Sequence, residues 1–266
     1  MAPGTSDNAI GWENRAPKPR DRGKTMMIDF GPDQMGWTGL RGIEDLLDIC
    51  ADAIDYAKIY AMNAVVMPKD IVRRAAQLYR DHNVQPFTGG ILFEYAHLKN
   101  NIDGFITHLN ELNISGIEIS ENYITLTEDE RDRYIERFQK IGIDVSYEFG
   151  RKNPEGPLSL DELESIVTGV TEGLGVPHVI VEQCEIDELA EKDPKALDTL
   201  AGLPWFHKIL IEADPYRFPQ QHAGLIKRFG PDVNLANIAP GQVYRLEGLR
   251  LGIGRAVDYS CLAGLL

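Results

Sequence analysis

Acidic residues and a single lysine recur about every thirty positions along this chain: Asp29, Lys58, Glu118, Glu148, Glu182 and Glu212, with Thr88 between Lys58 and Glu118. Each closes a short run rich in Val, Ile, Tyr or Phe, the composition of a buried strand. Carboxylates gathered within roughly 4 to 6 Å of one another repel and alter each other's protonation. Such a set calls for a cation. Oxygen donors without Cys or His favour Mg2+ over zinc, and the six histidines show no HxH or HExxH spacing. Lys58 stands out because Ile54-Asp55-Tyr56-Ala57-Lys58-Ile59 is otherwise mostly apolar, and a buried charge is costly unless paired. Four roles are open to it: Schiff-base lysine, proton donor, anion clamp, or structural partner of Asp29. The acids could equally be neutralised by Lys58 and by Arg151 and Lys152 in the next loop.

The elements that must position these groups follow from the same period. Strands are expected at Thr25 to Asp29, Tyr56 to Tyr60, Val84 to Thr88, Gly116 to Ser120, Asp144 to Glu148, His178 to Glu182, Lys208 to Glu212 and Asp232 to Ala236. Helical stretches separate them, and eight such units predict an α/β fold, a single (β/α)8 TIM barrel. Thr127 with Glu130, and Ser159 with Glu162, have capping-box spacing. Gly142 and Gly230 follow cation-bearing helix ends. Barrel chemistry lies where strands end, which nominates Asp29, Lys58 with Tyr60, Thr88, Glu118 with Ser120, Glu148, Glu182, Glu212, and Asn234 with Asn237. Gly89-Gly90 after Thr88 offers close backbone approach and exposed N–H groups, as an anion site or a tight turn requires.

At 266 residues, 43% hydrophobic and 26% charged, the chain suits one barrel domain. Residues 1–17 read as a flexible N-terminal tail and 18–266 as the barrel. The start lacks the apolar stretch of a secretory leader, and no run approaches the ~20 apolar residues of a membrane span. A soluble, cytoplasmic protein is expected. Cys50, Cys184 and Cys261 form no CxxC pair, so neither a disulfide framework nor a zinc ribbon is expected. A net charge of −14 disfavours nucleic acid and anionic membranes as partners. A small anionic or carboxylate substrate remains compatible with a local gathering of cations.

Several ordered blocks together resemble the phosphosulfolactate synthase family: Lys18-Pro19-Arg20 with Gly23 and Thr25-Met26-Met27-Ile28-Asp29, Asp55-Tyr56-Ala57-Lys58, Gly89-Gly90-Ile91-Leu92-Phe93-Glu94, Ile117-Glu118-Ile119-Ser120, Glu148-Phe149-Gly150-Arg151-Lys152 and Phe229-Gly230-Pro231-Asp232-Val233-Asn234-Leu235. The resemblance implies a (β/α)8 lyase that adds sulfite to phosphoenolpyruvate with Mg2+, and a homo-oligomer. It assigns Asp29, Glu118 and Glu182 to the metal, and Lys58, Glu148, Arg151, Lys152 and Glu212 to catalysis. Tyr60, Asn63, Thr88, Ser120, Cys184, Asn234 and Asn237 would then line the substrate.

The chain departs from that pattern where phosphate is held. Ile59-Tyr60-Ala61-Met62-Asn63 replaces a Gly-rich loop, and Glu182-Gln183-Cys184-Glu185 lacks the usual arginine. Ala236 stands for a glycine, and Gly252-Ile253-Gly254-Arg255-Ala256 is an altered terminal segment. Missing glycines remove close backbone approach, and a missing arginine removes a bidentate partner. Two alternatives follow. One is a divergent enzyme that acts on an unphosphorylated acid or enone. The other is a non-catalytic stress-related binding protein, toward which Glu212-Ala213-Asp214 leans.

Overall fold

Parallel strands joined by crossover helices are apolar on both faces, and eight of them can close on themselves so that no edge is left unpaired. The computed structural model describes residues 10, 12, 14–150, 159–263 and 265. Among these residues, eight parallel strands close into a barrel. They are β1 (Thr25–Asp29), β2 (Tyr56–Ile59), β3 (Gln85–Thr88), β4 (Gly116–Ile119), β5 (Asp144–Phe149), β6 (Val179–Val181), β7 (Ile209–Glu212) and β8 (Leu235–Ile238). Each pairs with its successor in sequence, and β8 closes on β1 through Thr25 opposite Leu235.

The surrounding helices are α1 (Leu40–Cys50), α2 (Lys69–Asp81), α3 (Gly90–Leu98), α4 (Ile102–Leu112), α5 (Glu128–Lys140), α6 (Leu160–Thr168), α7 (Gln183–Lys192), α8 (Pro194–Gly202), α9 (Gln220–Phe229) and α10 (Val243–Arg250). Thr127 and Glu130 form the complete capping box at the start of α5, whereas Ser159 caps α6 by accepting from Glu162 N without the reciprocal bond. Gly142 and Gly230 take the positive φ that a helix end needs, 79° and 88°. No described helix is long and apolar enough to cross a membrane.

Side chains alternate between the two faces of each strand. The outward set packs beneath the helices in one large core. A separate interior plug is made by Met26, Phe87, Ile180, Leu210 and Ala236, with Tyr56 against it. This plug is the reference for everything above it.

Two expectations need correction. The last strand begins at Leu235, three residues later than expected, because Gly230 ends α9 and Pro231-Asp232 is spent in the turn that follows. The segment read as a tail is anchored at Arg15, whose guanidinium holds Glu247 at 2.6 Å and donates to the Gly23 carbonyl at 2.8 Å.

Candidate active site

Two positions beyond the plug on the same strand faces, the interior turns from apolar to charged. Lys58 follows Tyr56 on β2, Glu212 follows Leu210 on β7, and Glu182 follows Ile180 beyond β6. Glu118 on β4 and Glu148 on β5 complete the layer. All five are buried, none more than 5% exposed. The Lys58 ammonium lies 2.8 Å from Glu118 Oε2, 3.0 Å from Glu212 Oε1 and 3.8 Å from Glu148 Oε2.

That geometry decides the protonation of both central groups. Burial alone would strip the proton from Lys58, but the charges of Glu118, Glu212 and Glu148 outweigh it and hold the group well above its ordinary value. Lys58 is therefore a fixed cation. A Schiff-base lysine must present a neutral amine, so this role does not fit the resting site. Glu148 moves the same way for other reasons. Burial, then the charges of Glu118 and Glu212 and more weakly that of Glu182, raise it well above the carboxylate range against the pull of Lys58. It keeps a proton where an exposed glutamate would have lost it. A fixed cation thus stands beside a neutral acid, a pairing suited to holding an anion and delivering a proton.

Gly90 explains the glycine pair after β3. Its N–H donates to Glu118 Oε1 at 2.8 Å, so the anion at this turn is the protein's own carboxylate. A Cβ at Gly90 would stand 2.1 Å from Ser120 Oγ, and hence only glycine fits.

Other expected site residues are placed elsewhere. Asp29 ends β1 on the outer face, three residues from interior Met26. Its carboxylate accepts from Tyr79 Oη at 2.7 Å, Gly31 N at 2.8 Å and the Thr38 hydroxyl. It ties strand, loop and α2 together, apart from Lys58. Ser120 donates to Glu94. Thr88, next to interior Phe87, is fully buried with no hydrogen-bond partner for its hydroxyl among the described residues. Asn63 braces the loop after β1 by donating to the Phe30 carbonyl at 2.9 Å, and Tyr60 lies on the rim against the Phe30 ring. Cys184 is half-buried in the first turn of α7. Asn237 has φ 58° at the end of β8, and its Oδ1 is buried without a hydrogen-bond partner among the described residues.

Asn234 corrects the sequence reading. It precedes β8 and sits at the barrel floor, where it accepts from Lys24 N and donates to the carbonyls of His207 and Ile209. Arg151 and Lys152 lie outside the described residues. Two residues went unnoticed in sequence: Asn122, whose Nδ2 donates to Glu148 Oε1 at 2.6 Å, and Glu94, which holds the loop carrying it. Glu94 lay within the Gly89–Glu94 block, whereas nothing in the sequence marked Asn122.

The expected metal trio is not assembled. Asp29 is committed outside the ring, Glu118 to Lys58 and Gly90, and Glu182 accepts from Gln183 N at 3.1 Å, so the three do not converge on one point. Among the described residues, no three His, Cys, Asp or Glu side chains are arranged to hold a metal ion. The Lys58 ammonium occupies the centre of the carboxylates, where a cation would go. The described residues do not fit a protein-held Mg2+.

A cavity of about 2100 Å3 lies at the opposite end, among Arg15, Lys18, Arg20, Lys24 and Tyr56. Lys18 Nζ donates to the carbonyls of Ala51, Ile54 and Asn83, each at 2.9 Å, and Arg20 pairs with Asp55. These cations tie the floor shut, a stability role suited to strand starts. The charged layer at the strand ends is the better candidate site.

Residues 13–255 match the (2R)-phospho-3-sulfolactate synthase (ComA) family. The chain belongs to this family. It is 32% identical to a phosphosulfolactate synthase of Methanocaldococcus jannaschii, over 87% of this chain and 92% of that protein. It is 30% identical to one of Methanothermobacter thermautotrophicus, over 90% and 92%. Among solved structures, dihydrodipicolinate synthase from Oceanobacillus iheyensis superposes with a TM-score of 0.51 at 10% identity, covering 89% of this chain and 76% of that one. That likeness concerns the barrel only. Family membership makes the chain a lyase-type enzyme and sets aside the non-catalytic reading.

Proposed function

We propose that this protein is a phosphosulfolactate synthase that joins sulfite to the methylene carbon of phosphoenolpyruvate. The observation that carries the proposal is the Lys58 ammonium, fixed between Glu118 and Glu212 with the Glu148 carboxyl 3.8 Å away. Lys58 supplies an ammonium donor to the substrate's carboxylate at the mouth. The sulfite sulfur lone pair forms the carbon–sulfur bond at the methylene carbon. The displaced π pair moves to the adjacent carbon and takes the Glu148 proton, which leaves a carboxylate that solvent reprotonates. Glu118 and Glu212 keep Lys58 charged and in place.

No step runs through a metal ion. Mg2+ commonly binds through substrate phosphates and waters, and a requirement for it here would belong to the substrate complex rather than to the free protein.

The test is purified protein with sulfite and phosphoenolpyruvate, with and without Mg2+, read by phosphorus NMR for a phosphorylated sulfonate. The Methanocaldococcus jannaschii protein serves as the positive control. Product is expected. Its absence while the control turns over overturns the proposal. A second reading, an unphosphorylated acid or enone as substrate, draws on the Phe30–Tyr60 pair at the rim, ring centroids 4.9 Å apart. Faster turnover of acrylate than of phosphoenolpyruvate would favour it.

A further inference from the structure

Glu148 presents two different oxygens. Oε1 accepts the Asn122 amide at 2.6 Å, whereas Oε2 faces Lys58 at 3.8 Å. In a neutral carboxyl group the carbonyl oxygen is the stronger acceptor, and the hydroxyl oxygen carries the proton. An N–H bound to Oε1 therefore makes Oε1 the carbonyl and leaves the proton on Oε2, the oxygen that shares the mouth with Lys58.

Asn122 is itself held from behind. The Glu94 carboxylate is 2% exposed on α3. Its Oε1 accepts from Asn122 N at 2.9 Å and from the Ser120 hydroxyl, and its Oε2 accepts from Tyr123 N at 2.8 Å. Three donors from Ser120, Asn122 and Tyr123 of one loop converge on one buried acid. The loop after β4 is thus fastened to α3, the helix that follows β3. Gly90, at the start of that same helix, fastens it to Glu118. One helix sets both the acid's orienting amide and a carboxylate that charges Lys58.

We propose that Asn122 is a positioning residue that directs the Glu148 proton onto Oε2, toward the substrate, and that Glu94 holds Asn122 in place to do so. Its catalytic meaning rests on the reaction proposed above. The charged groups facing Glu148 are Lys58 on β2, Glu118 on β4, Glu182 beyond β6 and Glu212 on β7. Asn122 is the neutral donor among them. A donor to the carboxylate favours the ionised form, so it counters the burial and the three acids that push the proton on.

The experiment compares wild type with Asn122→Ala, Asn122→Leu and Glu94→Gln, and takes Asn234→Ala at the floor as a structural control. One readout is the titration of the Glu148 carboxyl by carbon-detected NMR, which needs no turnover. The other is the pH profile of kcat/KM for sulfonate formation. Loss of a hydrogen bond to the charged form is expected to move Glu148 up by roughly one to two pH units in both Asn122 variants. The alkaline limb of the profile should move with it and kcat fall at least tenfold, while KM for phosphoenolpyruvate changes less than threefold. Glu94→Gln, which sets a donor against one of the loop N–H groups, should reproduce the shift. Asn234→Ala should not.

An unmoved Glu148 in either folded Asn122 variant overturns the inference. So does a downward shift, the result for an amide turned to accept rather than donate. A shift of the same size in Asn234→Ala would also overturn it, by showing mere loosening of the fold. If wild type makes no sulfonate, the proposed reaction fails, and the NMR titration still decides whether Asn122 positions the proton.

Discussion

Replacing Lys58 by methionine removes the one ammonium from a layer where Glu118, Glu148 and Glu212 lie within 3.8 Å of it, and leaves a side chain of similar length. Deleting one partner of a buried ion pair costs roughly 3–5 kcal/mol, since the other charge stays buried and uncompensated. For a chain of this size each kcal/mol moves Tm by about 2–4 °C, which puts the expected loss near 10 °C at pH 8. The variant can relieve part of the cost by taking up protons on Glu118 and Glu212. The sign follows from linkage. Lys58 is held above its ordinary value of 10.5 in the folded state, so its contribution is full at all pH values below that and fades only as pH rises beyond it. In the variant the stranded acids bind protons more readily than their unfolded counterparts, and stability should recover as pH falls from 8 to 5. Differential scanning calorimetry of both proteins at pH 8 and pH 5 checks this. A Tm within 2 °C of wild type at pH 8, or a deficit that grows toward pH 5, would refute the argument that Lys58 neutralises the layer.

Three further outcomes follow from the floor, the turn after β3 and a buried histidine. Asn234→Ala strips three hydrogen bonds from the floor and should cost about 2–4 kcal/mol in urea unfolding with KM unchanged; a raised KM with unaltered stability would return Asn234 to the mouth. Gly90→Ala forces a Cβ onto Ser120 and should cost roughly 1–3 kcal/mol, with a larger loss of turnover; wild-type melting and activity would contradict the packing described. His178, buried against Ser146 and pulled down to about 3 by burial and the charge of Lys24, contributes stability that is present above its ordinary 6.5. That stability is lost as pH falls toward 3, about 2 kcal/mol of it between pH 6.5 and 5. Chemical denaturation of His178→Gln should show a shallower loss over that window, and an identical slope would dismiss the point.

Seven strands were legible from the thirty-residue beat to within a residue at either end, because β-branched runs and capped helices alternate without interruption. The eighth slipped because Asp232, Val233 and Asn234 were counted into the strand, whereas they belong to the turn and the approach that precede it. The face of each strand was harder to read. Strands in a closed parallel barrel are apolar on both sides, so their composition carries no inside–outside alternation. Lys58, Glu118, Glu148, Glu182 and Glu212 share the interior parity, whereas Asp29 falls on the other parity and ends up bonded to Tyr79 and Thr38. From sequence the two sets look alike. Asn122 was invisible for a different reason, since it lies in a loop whose path depends on a glutamate nearly thirty residues earlier. The resemblance carried the family, while the metal trio depended on faces that no linear motif encodes.

The plug of Met26, Phe87, Ile180, Leu210 and Ala236 also sets the traffic of the proposed reaction. It separates the charged layer from the cavity at the floor, so approach in the proposed reaction is from the strand ends. Substrates, product and the proton that recharges Glu148 all use that doorway.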